Sequence, residues 1–245
     1  MIEQAEVEST AGRTGLYISR PDDGKPHPGI ILIHEVWGLT EHIKGVANRF
    51  AAQGFAVVAP DLISHTGITD KVDQSIMVEV HNPATRDEAQ KKLREATTPI
   101  YQPEFGEQTV QRLEAIFGYL KSRDYCTGKV GVLGFCFGGS YSFALAAAES
   151  ELNCAIAFYG HADINKIEKI NCPVLAFYGE KDERLIQQLP ELKAAMEKQG
   201  KDFTSKVYPN TGHAFFNDSN QVTYNKEAAD DAWKVSLEFL SKNLS

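Results

Sequence analysis

The sequence predicts an α/β fold with a mostly parallel central sheet and helices on both faces. Short apolar runs rich in β-branched residues alternate along the chain with longer amphipathic runs, and alternation of this kind is typical of parallel sheets covered on both sides. The 245 residues show no internal repeat and no break in composition. A length of this order suits one large core, so residues 1–245 are predicted to form a single domain.

Six apolar runs have the length and composition of strands, and most of them end in or beside glycine or proline. These runs cover residues 29–34, 54–60, 129–134, 154–160, 173–179 and 203–209.

Five longer runs between or after these strands are predicted to be helices, at residues 41–53, 108–121, 139–149, 183–198 and 226–240. In the last of them the apolar residues recur at steps of three and four, as Ala229, Trp233 and Leu240 illustrate. That spacing places one apolar stripe against the sheet.

The segment 61–105 interrupts the alternation. It is long, polar and weakly patterned, although residues 86–96 are compatible with a helix. Long connections of this kind in a compact domain are often functional. The segment is therefore predicted to be a cap-like insertion that folds over a site.

Composition excludes several classes of protein. The formal net charge of -8 at pH 7 argues against nucleic-acid binding, which needs clustered Lys and Arg. No secretory leader and no run of 18 uncharged apolar residues is present, so a cytoplasmic protein that binds no membrane is expected. The four cysteines form no C-x-x-C pair, which predicts neither a disulfide framework nor a metal site. A small-molecule substrate is therefore expected. The sequence leaves the oligomeric state open and is compatible with a monomer.

The stretch "GFCFG" at residues 134–138 lies between a predicted strand and a predicted helix. It matches the nucleophile elbow G-x-S-x-G with Cys136 in place of serine, and the spacing fits neither a dinucleotide fingerprint nor a Walker loop. The alternative is a buried structural cysteine in a glycine-rich turn. The elbow pattern favours a nucleophile.

A thiol with its ordinary pKa of about 8.5 is only roughly 3% ionised at pH 7, so it needs a base. Asp182 and His213 follow the cysteine, each just after a predicted strand, in the order nucleophile, acid, histidine that α/β-hydrolases use. Glu180 and Glu183 compete with Asp182 for the role of the acid. The other histidines, among them His161, lack this position and are structural or substrate-lining candidates.

The exit of the first predicted parallel strand, "IHEVWGL", supplies further candidates. A backbone N–H from this loop and one from the residue after the nucleophile usually form the oxyanion hole, which predicts Val36 and Phe137 as donors. Glu35 would affect the protonation of a nearby thiol, or would serve only as a hydrogen-bond acceptor.

Together, "HEVWGL", "GFAVVAPDL", "GKVGVLGFCFGG", "AFYGEKD" and "YPNTGHAF" resemble the dienelactone hydrolase family of α/β-hydrolases over nearly the whole chain. The resemblance implies Cys136 as nucleophile, Asp182 as orienting acid and His213 as base. It also implies that Glu35 holds the resting thiol and takes its proton when substrate binds. The implied activity is hydrolysis of small esters or lactones, as by a carboxymethylenebutenolidase, without metal or cofactor.

One position departs from the family. The enzyme that gives the family its name has an arginine four residues after the catalytic histidine that helps to hold the substrate carboxylate, and here that residue is Asn217. Arg86 and Arg94 in the insertion could replace it, or could be surface helix residues. Trp37 and Asn217 complete the candidate substrate-lining residues.

Two other functions stay open. An acyltransferase would pass the acyl group from the thioester to an alcohol or amine, and nothing in the sequence excludes it. A redox-sensing or binding protein would use Cys136 as a reactive thiol without ester turnover, and the complete set of triad residues disfavours it.

Overall fold

The computed structural model describes every residue from Met1 to Ser245. Its strands are β1 (Ile2–Ser9), β2 (Gly12–Ser19), β3 (His27–Ile33), β4 (Ala56–Pro60), β5 (Cys126–Phe135), β6 (Cys154–Phe158), β7 (Val174–Gly179) and β8 (Phe203–Tyr208). They form one eight-stranded sheet in the order β1-β2-β4-β3-β5-β6-β7-β8. The β1–β2 and β2–β4 pairs are antiparallel and all the others are parallel, which confirms the predicted mostly parallel sheet.

The helices are α1 (Glu41–Ala52), α2 (Ile76–His81), α3 (Arg86–Thr97), α4 (Pro103–Lys121), α5 (Phe137–Ala148), α6 (Glu183–Lys198) and α7 (Lys226–Leu244). Two glycines show that they cover both faces of the sheet. A side chain on Gly29 would meet Leu120 of α4, and one on Gly131 would meet Leu244 of α7. Because Gly131 pairs with Ile30, the neighbour of Gly29, the two positions face opposite sides. None of the helices is both long enough and apolar enough to cross a bilayer.

The β1–β2 hairpin was not predicted from the sequence, where the first strand was placed at residue 29. Exposed and half-buried residues alternate along β1, and Val7 is its single fully buried residue. Gly12 has a φ of 96° in the turn between the two strands. The edge strand β1 therefore lacks the continuous apolar run that marks the inner strands, and in β2 the buried apolar run is only Leu16, Tyr17 and Ile18.

The segment 61–105 contains α2, α3 and a 3-10 turn at residues 98–101. Its helix α3, at 86–97, coincides with the predicted helix at 86–96. The segment has an apolar cluster of its own, separate from the main core and formed by Ile68, Val72, Ile76, Ala89 and Ala96. Trp37 and Ile100 pack against this cluster, so the segment adheres to the loop that follows β3.

Candidate active site

Cys136 occupies the turn between β5 and α5 and has a φ of 55° and a ψ of -111°. A positive φ at a residue other than glycine costs of order 1–3 kcal/mol, so the surrounding structure must enforce it. The Cys136 N–H donates to the carbonyl of Phe158 at 3.0 Å, and its own carbonyl accepts from the Ser140 N–H at 3.1 Å. These bonds fix the backbone and leave the thiol partly exposed at the carboxyl edge of the sheet.

Close backbone contacts explain the glycines of this turn. A Cβ on Gly134 would lie 2.1 Å from the carbonyl oxygen of Gly138. One on Gly138 would lie 2.3 Å from the carbonyl oxygen of Ile33, and one on Gly139 would lie 2.4 Å from that of Phe158. Real Cβ atoms essentially never approach closer than 3.0 Å. The start of α5 therefore presses against β3, β5 and β6 with no room for side chains.

Asp182 and His213 meet beside this turn, although they lie on separate loops after β7 and β8. The Nδ1 atom of His213 is 2.5 Å from Oδ2 of Asp182, which fixes the ring and leaves its other nitrogen available to a substrate or a thiol. Burial alone lowers the pKa of His213, but the charge of the Cys136 thiolate and the hydrogen bond to Asp182 raise it to about 10. The imidazole is therefore a strong proton acceptor.

The two competing carboxylates have other contacts. Glu180 accepts a hydrogen bond from the Asn210 N–H through Oε2 at 2.8 Å, so it supports the loop that carries the histidine. Glu183 is exposed in the first turn of α6. Asp182 is thus the carboxylate that contacts the imidazole.

Two residues beside the thiol have a backbone N–H without an acceptor. Val36 lies in the loop after β3, and Phe137 is the first residue of α5, where no intrahelical acceptor exists. Both residues line the cavity that contains Cys136. The Gly138 N–H donates to the carbonyl of His34 at 3.1 Å and so ties the β3 loop to the turn. This pair of donors is the arrangement expected of an oxyanion hole.

Glu35 is 2% exposed and is surrounded by hydrogen-bond donors. Its Oε2 accepts from Nδ2 of Asn217 at 2.6 Å, and its Oε1 lies 3.5 Å from the hydroxyl of Tyr159. Burial raises the pKa of the Glu35 carboxyl, while His42 and Asn217 act to lower it. No hydrogen bond joins Glu35 to Cys136. Tyr159 lies between Glu35 and Cys136, and its ring centroid is 4.9 Å from that of His213.

The cavity over the thiol has a volume of about 220 Å³. We call it the nucleophile cavity. Besides the predicted residues, its lining includes Tyr101, Tyr141, Tyr159, His161 and Arg184. Arg184 is its single Arg or Lys, and neither an ion pair nor a hydrogen bond holds the guanidinium. Sequence analysis did not select Tyr159 or Arg184. Tyr159 directly follows the end of β6 at the edge of the sheet that carries Cys136, which is the available signal for that residue.

Four of the candidate substrate-lining residues lie outside the nucleophile cavity, whereas His161 lines it. Arg86 and Arg94 are exposed on α3. Trp37 packs against the apolar cluster of the segment 61–105. Asn217 is 1% exposed and contacts Glu35 and Gln74 instead of the cavity.

The remaining cysteines are buried and free. Cys126, Cys154 and Cys172 lie in the core, and burial raises the pKa of each thiol, in Cys172 to about 12. Cys136 alone is partly exposed. No group of three or more His, Cys, Asp or Glu side chains has the geometry to hold a metal ion.

The chain is similar to several known proteins. A family model described as "Dienelactone hydrolase family" matches residues 15–244. A protein of Saccharolobus solfataricus named "Putative carboxymethylenebutenolidase" is 32% identical and is aligned over 99% of both chains. "Protein usf" of Aquifex pyrophilus is 32% identical over 100% of both. A crystal structure named "Putative Dienelactone Hydrolase", from Klebsiella pneumoniae, superposes with a TM-score of 0.79 over 98% of both chains at 24% identity.

Proposed function

Because the chain belongs to the dienelactone hydrolase family, we propose that it hydrolyses small carboxylic esters or lactones through Cys136, His213 and Asp182, with an acyl-thioester intermediate. One observation carries the proposal. Cys136 shares a cavity with His213, whose Nδ1 is bonded to Asp182, and with two backbone N–H groups that have no acceptor.

In the first half-reaction the Cys136 sulfur attacks the carbonyl carbon of the ester. The carbonyl oxygen becomes an oxyanion that accepts hydrogen bonds from the N–H groups of Val36 and Phe137. Collapse of this intermediate breaks the bond to the alkoxide, and protonated His213 donates a proton to that leaving group. The products are the free alcohol and the acyl-thioester of Cys136.

In the second half-reaction neutral His213 accepts a proton from water, and the resulting hydroxide attacks the thioester carbonyl. The same two N–H groups stabilise the second oxyanion. The carbon–sulfur bond then breaks, which releases the carboxylic acid and regenerates Cys136 and protonated His213. Asp182 holds the ring in one orientation throughout and stabilises its positive charge.

Glu35 has the environment of a proton acceptor. Its burial raises the pKa of the carboxyl, and a carboxylate with a raised pKa binds a proton more readily. We assign it the removal of the Cys136 proton as substrate enters, with the proton passing from sulfur to a carboxylate oxygen and returning to the sulfur after the carboxylic acid leaves. Tyr159 and Asn217 hold the carboxylate during this step.

Substrate size follows from the volume of the cavity. The nucleophile cavity, at about 220 Å³, is smaller than the pockets that hold drug-sized ligands. Small esters and lactones therefore fit the reacting centre.

The direct test is turnover of p-nitrophenyl acetate by wild type, Cys136→Ala and Cys136→Ser. We expect Cys136→Ala to lose activity by at least about 10³-fold, and mass spectrometry of rapidly quenched wild type to find the acetyl group on the Cys136 peptide. Cys126→Ala is the matched control, because that thiol is buried away from the cavity and should be dispensable for turnover. Equal activity in wild type and Cys136→Ala would refute the assignment.

The same assay separates the other two functions. With an added alcohol acceptor, an acyltransferase would form mainly the new ester, whereas a hydrolase forms mainly acetate. A thiol sensor would consume peroxide through Cys136 but would leave p-nitrophenyl acetate uncleaved.

A further inference from the structure

A second cavity of about 220 Å³ adjoins the nucleophile cavity along α5. Ser140, Tyr141 and His161 line both cavities, so the two spaces lie on either side of, or next to, the same side chains. The second cavity runs between α5 and the 3-10 segment Ile164–Lys169. We call it the α5 groove.

The surface of the α5 groove is apolar. Its floor is formed by the small side chains of Ala144 and Ala147. Its walls are Phe143, Ile167 and Ile170, which are 3%, 1% and 1% exposed. Two alanines at i and i+3 lie on one face of a helix, so together they leave an open trough along it.

The polar groups of the α5 groove lie at its two ends or are already bonded. At the inner end the Ser140 hydroxyl accepts a hydrogen bond from the His161 N–H at 2.9 Å. At the outer rim Asp163 and Lys166 form an exposed ion pair with an N–O distance of 4.0 Å. Between these ends the lining side chains are the apolar Phe143, Ala144, Ala147, Ile167 and Ile170, so the groove favours a hydrocarbon occupant.

The α5 groove extends along helix α5 away from Cys136. Helix α5 begins directly after Cys136, and the groove starts at Ser140, one helical turn further on. From Ser140 to Ala147 the helix rises about 10 Å, at roughly 1.5 Å per residue. A flexible chain attached to an ester at Cys136 can therefore pass Ser140 and lie along the groove.

We propose that the α5 groove binds the hydrocarbon chain of an elongated ester substrate while the ester group lies at Cys136. This inference rests on the proposed function and names its substrate class, which is medium-chain aliphatic esters. The ester group occupies the small nucleophile cavity, and the chain removes its apolar surface from water in the groove.

Two series of esters test the proposal and identify which part of the substrate enters the groove. In the first, the acyl chain of p-nitrophenyl esters grows from acetate to octanoate. In the second, the alcohol chain of alkyl acetates grows from ethyl to octyl, and released acetate is measured. Each buried methylene can raise kcat/KM by up to about fourfold, so we expect a rise of at least about tenfold along one series.

Substitutions that fill the groove should remove this rise. Ala144→Leu and Ala147→Leu place a branched side chain on the floor, and leucine preserves the helix because its helix propensity is high. We expect both variants to cleave the shortest ester of each series like wild type but to lose most of the gain on the longest. Ala148→Leu is the matched control, since Ala148 is exposed on the same helix outside the groove.

The outcomes are distinct. Chain-length selectivity that disappears in Ala144→Leu and Ala147→Leu but persists in Ala148→Leu supports the groove. Normal turnover of p-nitrophenyl acetate with flat selectivity in wild type overturns the groove alone and leaves the proposed function standing. Absence of turnover on every ester overturns the proposed function and the groove with it.

Discussion

The β5–α5 turn and the segment 61–105 meet at the nucleophile cavity, but they are built in opposite ways. The turn consists of backbone packed on backbone, with three glycines that have no room for a Cβ and a cysteine held at a φ of 55°. The segment contributes Ile100 and Tyr101 to the cavity through side chains, from beside a small apolar cluster of its own.

This difference separates the residues expected to determine catalysis from those expected to determine substrate specificity. The backbone of the turn fixes the proposed nucleophile and one proposed oxyanion donor, so small changes there should impair catalysis for every substrate. Residues that line the cavity only with side chains can change without disturbing the turn. We therefore expect large, substrate-independent effects at the catalytic positions and small, substrate-dependent effects around the rim.

The largest effect is expected for the pair His213 and Asp182, because the two act as one unit. We expect His213→Ala and Asp182→Asn each to lower kcat/KM by about 10³- to 10⁴-fold, and the double variant to lie within about tenfold of the worse single variant. Steady-state kinetics on p-nitrophenyl acetate measures this. His161→Ala is the control, since it lines the cavity without contacting Asp182. Losses that multiply would show that the two residues work independently.

The next effect concerns the crowded turn itself. A Cβ on Gly138 would lie 2.3 Å from the carbonyl oxygen of Ile33, so we expect Gly138→Ala to lower the free energy of unfolding by more than about 3 kcal/mol. Gly45→Ala in α1 is the matched control, because a Cβ there meets nothing within 4 Å. It should stabilise the helix by up to about 1 kcal/mol. Urea unfolding of both variants gives the comparison, and equal stabilities would contradict the close packing.

Sequence analysis predicted the turn well because its signals are local. A β-branched run, two glycines around one cysteine and a run of small residues all belong to one stretch of chain. Asp182 and His213 were selected by their position after strands, which periodicity also reveals. Helix α5 begins at Phe137, two residues earlier than predicted, directly after the turn at Cys136.

The residues that sequence analysis placed differently depend on contacts between distant parts of the chain. Asn217 was assigned to the substrate, but it binds Glu35, which is 182 positions away. Arg184 belongs to the charged run "EKDER", where nothing distinguishes it from its neighbours. Its position over the cavity follows from where α6 starts relative to β5, which no local pattern encodes.

The third effect tests the electrostatic coupling within the site. The charge of the Cys136 thiolate opposes burial and helps to raise the pKa of His213 to about 10. In Cys136→Ser no thiolate can form while burial remains, so the pKa of His213 should fall below its wild-type value. Titration of the imidazole C–H resonance by NMR measures both midpoints. Identical midpoints would show that the thiolate does not raise the pKa of His213.

The smallest effect is expected at Arg184, which lies at the mouth of the cavity and is expected to affect substrate specificity only. Arginine binds carboxylates through two charge-assisted hydrogen bonds, and Arg184 is the single Arg or Lys that lines the nucleophile cavity. It occupies the first turn of α6, where the helix dipole disfavours a positive charge, so helix stability does not account for it. A substrate carboxylate at the mouth of the cavity would therefore contact this guanidinium.

We expect Arg184→Gln to lower kcat/KM for a lactone that carries a carboxylate by about five- to tenfold, because one charged hydrogen bond is worth about 1.5 kcal/mol at the lower end of its range and the site is exposed. The methyl ester of the same lactone should be cleaved at the wild-type rate. Arg86→Gln and Arg94→Gln are the controls, since both arginines lie on α3 outside the cavity. An equal loss on acid and ester would assign Arg184 to general packing, and a loss in Arg94→Gln would bring the segment 61–105 into substrate recognition.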